Sequence, residues 1–104
     1  MIHAAALEAS PSGVGFDADL PWRRGRSVAL RPEPFGALAY HFGNRTLSFL
    51  KSTTLVAVVE ALDDHPSAAA ALTACGVTES QRGAYTTALA DLARSQMIEP
   101  RETP

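Results

Sequence analysis

The stretch LAYHFGNRTLSFL, Leu38 to Leu50, reads as two apolar runs hinged on Gly43-Asn44. A Gly-Asn pair suits a two-residue hairpin turn, because both residues tolerate the positive φ angles such turns need. A turn centred there sets the register, with Phe42 opposite Arg45, Tyr40 opposite Leu47 and Leu38 opposite Phe49. Opposed residues in an antiparallel pair point to the same side. Leu38, Tyr40, Phe42, Leu47 and Phe49 therefore share an apolar face, which is expected to be the core side. Ala37, Ala39, His41, Thr46 and Ser48 form the other face, small or polar, and are expected nearer solvent.

Upstream, Val28 and Leu30 alternate with Ala29 and Arg31, and Pro32-Glu33-Pro34 is expected to stop that run and turn the chain. Three strands follow from this reading, Ser27 to Arg31, Phe35 to Phe42 and Arg45 to Lys51. Downstream the period changes from two to about 3.6. Ser52 is a candidate N-cap for a helix with the stripe Leu55, Val58, Val59 and Leu62. Asp63-Asp64-His65 ends it, and Pro66 is placed to open a second helix with Ala68, Ala71, Leu72 and Cys75 inward. Gly76 suits the left-handed residue after that helix. Thr78 with Gln81 matches a capping box for a third helix, whose inner face is Tyr85, Ala88, Leu89, Leu92 and Ala93. Met97-Ile98 is expected to return to the core. The fold class is thus α+β, in the order β-β-β-α-α-α, a three-stranded antiparallel sheet followed by a winged helix-turn-helix-like set of three helices. Residues 1–22 read as a flexible N-terminal arm, 23–99 as a single domain and 100–104 as a frayed tail, with Phe16, Leu20 and Trp22 able to dock the arm.

The bulk numbers narrow the function classes. At 104 residues, 46% hydrophobic and 19% charged, the chain makes one modest core. A net charge of −2 gives no overall attraction to nucleic acid or to an anionic membrane. The single cysteine, Cys75, excludes an intramolecular disulfide, and no signal peptide or membrane span is evident, so a cytoplasmic location is expected.

Catalytic readings find little support. His3, His41 and His65 are scattered, without HxxxH or CxxC spacing for a metal. Cys75 lies on an apolar helix face, as a buried inert thiol does. Asp63-Asp64 reads as a solvated turn, and Arg23, Arg24 and Arg26 as a solvated linker in preference to a phosphate or partner site. No glycine-rich phosphate loop is present. The expectation is a non-enzyme with no cofactor and no metal. A DNA-reading winged helix is weighed as an alternative, but residues 79 to 95 carry only Arg82 and Arg94 as basic groups, where a DNA reader clusters them. What remains is binding through backbone. The first strand is blunted by Arg31, Pro32 and Pro34, whereas Arg45 to Leu50 has no proline and no internal charge. Either an extended peptide adds to that edge, or a helix or the N-terminal arm covers it.

The blocks VALRPEPFGALAYHFGNRTLSFLKS, LVAVVEALDDHPS and LADLARSQMI resemble the mycofactocin peptide-chaperone family, part of the pyrroloquinoline-quinone chaperone-like group of precursor-peptide recognition domains. The resemblance runs from about Val28 to Ile98, and RPEPFGALAYHFG is its most specific part. It implies a non-catalytic carrier that holds the leader of the mycofactocin precursor peptide and presents the peptide to a radical S-adenosylmethionine maturase. It further implies that the leader adds as a strand beside the third strand and packs on the third helix. Residue by residue, that carries peptide contact onto Arg45, Thr46, Leu47, Ser48 and Phe49, and onto Arg82, Tyr85 and Leu89. Core packing is the competing role for Leu47, Phe49, Tyr85 and Leu89. A structural subunit of the maturase is a further alternative.

Overall fold

The computed structural model describes residues 16–101. Three antiparallel strands, β2 (Val28–Glu33), β3 (Gly36–His41) and β4 (Leu47–Leu50), form a sheet in chain order, and β1 (Trp22–Arg24) pairs with β5 (Ile98–Pro100) in a separate two-stranded ribbon. Between β4 and β5 run α1 (Thr53–Ala61), a 3-10 turn at Leu62–Asp64, α2 (Ala68–Ala74) and α3 (Glu79–Arg94). The α+β class and the sheet-then-helices order expected from the sequence are those observed.

The hairpin register is the expected one, with Leu38 opposite Phe49 and Tyr40 opposite Leu47. The faces, however, are reversed. Ala37, Ala39 and Leu50 are buried, while Phe42, Leu47 and Phe49 are 60%, 56% and 61% exposed. The cause is volume. Leu55, Val58, Val59 and Leu62 supply large side chains to the core, and small residues opposite them let a helix approach the sheet. Two alanines make that approach possible; a face of Leu, Tyr and Phe does not.

The turn also differs from the expected two-residue form. Phe42, Gly43, Asn44 and Arg45 make a four-residue loop in which Arg45, not the Gly-Asn pair, takes the left-handed conformation (φ 62°). His41 holds it: its Nδ1 accepts the Gly43 and Asn44 N–H groups at 3.0 and 3.2 Å, and its carbonyl accepts the Arg45 N–H at 2.8 Å. Nor does Pro32 stop β2. Its missing N–H lies on the sheet's outer edge, where no ladder bond is lost, so the strand runs on to Glu33. Gly36 is required where β3 starts: a Cβ there would lie 2.0 Å from the Leu50 carbonyl oxygen.

Helix ends follow local chemistry. Ser52 caps α1 by accepting the Leu55 N–H at 3.0 Å, and Gln81 reaches back to the Thr78 N–H at 3.1 Å to start α3. The second helix begins two residues later than expected, at Ala68, because Ser67 caps it by accepting the Ala70 N–H at 3.1 Å. Gly76 (φ 83°) ends it as anticipated. Leu89 and Leu92 of α3 are buried, with Tyr85, Ala88 and Ala93 packed against the core.

The ribbon was not foreseen from local pattern. Trp22, placed at the end of the arm as one of the residues able to dock it, is buried on the core and paired with Pro100. Its indole N–H donates to the Asp17 carbonyl at 2.8 Å and its ring lies 4.9 Å from that of Phe16. Arg101, expected in a frayed tail, donates to the carbonyls of Leu62 and His65 at 2.8 Å each. The ribbon thus joins Trp22–Arg24 to Ile98–Pro100. Of the expected basic cluster, Arg23 and Arg26 lie 3.6 and 3.9 Å from Glu99 across this ribbon.

Candidate functional site: the free edge of β4

Backbone phase decides which groups of β4 are available. The His41 N–H donates to the Thr46 carbonyl at 2.9 Å, and ladder bonds in an antiparallel pair alternate, so Ser48 and Leu50 also face β3. On the other side of β3, the Phe42 N–H donates to the Ser27 carbonyl at 2.7 Å, which gives the complementary phase. Leu47 and Phe49 consequently turn their N–H and C=O groups away from the sheet. Among the described residues, nothing bonds to those four groups. The opposite edge is poorer, because Pro32 has no N–H and the Val28 N–H is taken by the Gly25 carbonyl at 3.1 Å. Among the described residues, β4 is the sheet's open edge.

The anticipated strand residues come together here. Arg45 is exposed at the loop, Thr46 and Ser48 are half-buried on the inner face, and Leu47 and Phe49 stand exposed on the outer one. Of the three anticipated helix residues only Tyr85 reaches the neighbourhood. Its hydroxyl lies 3.1 Å from Ser52 Oγ, just past the end of β4, where either oxygen can donate. Arg82 is turned to α2, donating to the Ala69 carbonyl at 3.2 Å and to Thr73 Oγ1 at 2.9 Å. Leu89 is fully buried and serves the core. Sequence reasoning placed Phe42 and Tyr40 inside. The signal against that was the alanine pair on the opposite face, whose small size marks the helix-facing side.

Other chemistry is sparse. Among the described residues, no three His, Cys, Asp or Glu side chains are grouped to hold a metal ion, and Cys75 is a half-buried free thiol. His41 is committed to the hairpin loop. No described helix is long and apolar enough to cross a membrane. An unpaired strand of this kind offers directional backbone hydrogen bonds and side-chain rows on two faces, which is what recognition of an extended peptide requires.

The sequence model of the peptide chaperone MftB family matches residues 21–99. The chain is 54% identical over 87 residues to a protein named peptide chaperone MftB from Mycolicibacterium smegmatis, covering 84% of this chain and 85% of that one. It is 50% identical over 98 residues to its namesake from Mycobacterium ulcerans, covering 94% and 90%, and 51% identical over 88 residues to that from Mycobacterium tuberculosis, covering 85% and 81%. No solved structure matches the chain.

Proposed function

Because the chain belongs to the peptide chaperone MftB family, we propose that it is a non-catalytic carrier for the mycofactocin precursor peptide. It holds the leader as an added strand on β4 and presents the peptide to a radical S-adenosylmethionine maturase. One observation carries this reading: the outward N–H and C=O groups of Leu47 and Phe49 have no partner among the described residues. Up to four backbone hydrogen bonds follow, each worth about 0.5–1.5 kcal/mol net, so binding strength depends further on side-chain packing. An incoming strand sets alternate side chains beside Leu47 and Phe49 on one face. The others lie on the inner side with Thr46 and Ser48, towards Tyr85.

Titration of isotope-labelled protein with the precursor peptide checks this. Amide signals of residues 45–50 and those around Tyr85 should move, and the exchange of the Leu47 and Phe49 amides with solvent should slow. Shifts restricted to β1, β5 or α2 would remove the strand-addition mode.

A further inference from the structure

Four backbone groups at the entry to β4 end on one residue. The His41 ring nitrogen Nδ1 accepts the Gly43 N–H at 3.0 Å and the Asn44 N–H at 3.2 Å. Its backbone carbonyl accepts the Arg45 N–H at 2.8 Å, and its own N–H donates to the Thr46 carbonyl at 2.9 Å. That last bond fixes the phase of the hairpin. His41 and Thr46 are a hydrogen-bonded pair, so the next pair inward, Phe42 and Arg45, is not. The Phe42 N–H turns instead to the Ser27 carbonyl, and among the described residues no backbone acceptor bonds the Gly43 or Asn44 N–H. The imidazole supplies the acceptor they lack. Two donors converging on Nδ1 place the proton of the neutral ring on Nε2.

We propose that His41 is a positioning residue for the peptide edge. Through the acceptor nitrogen of its ring it fixes the 42–45 loop, so that the Leu47 end of β4 is presented ready-directed to an incoming strand. The proposal rests on the carrier reading above. The two ends of β4 are held by different means. Leu50 is fully buried and lies opposite Ala37, so the core fixes the far end. Leu47 is exposed, and Arg45 before it sits in the left-handed region (φ 62°), which is unfavourable for a residue with a Cβ. The Thr46 N–H reaches Asn44 Oδ1 at 3.0 Å, itself part of the loop. The near end is therefore held by the loop, and the loop by His41. Without the ring acceptor, Gly43 and Asn44 are free to take the positive φ angles they favour and Arg45 relaxes. The outward N–H and C=O of Leu47 then lose their fixed direction and must be ordered at the moment of binding. Phe49, next to the buried Leu50, keeps its direction.

The test uses the full chain and the precursor peptide, with His41→Phe and His41→Asn. Phenylalanine keeps a planar ring without the acceptor, whereas an asparagine side-chain oxygen takes the N–H two residues on. His41→Phe should speed amide exchange at Gly43 and Asn44 and weaken peptide binding by about two- to tenfold. In its complex the peptide should no longer slow exchange at Leu47 but should still slow it at Phe49. His41→Asn should restore both towards the parent. Nitrogen NMR of the parent ring in mildly alkaline buffer should show the proton on Nε2. Parent-like protection of Leu47 in His41→Phe would overturn the proposal. So would equal loss at Leu47 and Phe49, which marks general destabilisation, or a ring proton on Nδ1. If peptide slows neither amide in the parent, the carrier reading fails. The hold of His41 on the loop is then decided by the Gly43 and Asn44 amides, read without peptide.

Discussion

Gln96 shows at the residue scale how a local rule is met by an unexpected residue. Both α2 and α3 end in the same hydrogen-bonded motif. The Val77 N–H returns to the Leu72 carbonyl at 3.0 Å, and the Met97 N–H to the Leu92 carbonyl at 2.8 Å. The motif needs a left-handed residue just before the returning amide. Gly76 fills that role after α2, but Gln96 (φ 66°) fills it after α3. A non-glycine residue held there is strained, and glycine's greater freedom in the unfolded chain cancels only part of the relief. Gln96→Gly should therefore stabilise the protein by about 0.5–1 kcal/mol, a rise of roughly 2–8 °C in melting temperature by calorimetry. The Gln96 side chain reaches only a 3.4 Å contact with Asn44, so little is lost with it. Arg45 in the hairpin loop is the parallel case. Sequence pointed to Gly43-Asn44 for the positive φ, and His41 decided otherwise by binding the N–H groups of that pair.

At the scale of elements, β4 combines a firm register with a free edge, and proline substitution separates the two. The Ser48 N–H points to β3, so Ser48→Pro removes a ladder bond and should cost about 1–3 kcal/mol, read as a fall in thermal midpoint. The Leu47 N–H points outward at the start of the strand, where proline is tolerated. Leu47→Pro should keep the midpoint within about 3 °C of the parent while weakening peptide binding by roughly 2- to 12-fold, the worth of one backbone hydrogen bond. Circular dichroism melting beside a peptide titration reads both outcomes. Equal peptide affinity for Leu47→Pro and the parent would argue against use of this edge. The register and helix stripes were legible because they rest on periodicity and on caps within four residues of each other. The lack of proline and internal charge on β4 was legible too, whereas the alternative of cover by the N-terminal arm falls on residues 1–15, outside the described residues. Arg82 was not, because its partners on α2 are set by how two helices pack.

Across the whole molecule, the β1–β5 ribbon and Arg101 close the body. The Arg101 guanidinium, about three-quarters buried, serves the carbonyls of Leu62 and His65 and lies 3.6 Å from Asp63. Its backbone N–H donates to the Pro21 carbonyl at 3.1 Å. Arg101→Ala takes their side-chain donor from the His65 and Trp22 carbonyls, while the Leu62 carbonyl keeps the His65 N–H at 3.4 Å, and should cost about 1–3 kcal/mol, visible as a lower midpoint in urea. Arg101→Lys should recover only part of this, since one ammonium cannot reproduce the planar fork. By itself the sequence determined the three strands of the β2–β3–β4 sheet, their register and the helix stripes, because these depend on neighbours a few residues apart. Only the tertiary structure decided which sheet face lies inside, since a period of two distinguishes two faces without saying which one a helix covers. It also decided the pairing of Trp22 with Pro100, a contact between chain segments far apart in sequence that no local pattern encodes. The volume of the helices selected the alanine face, and that choice left the aromatic face of the hairpin outward beside an open strand.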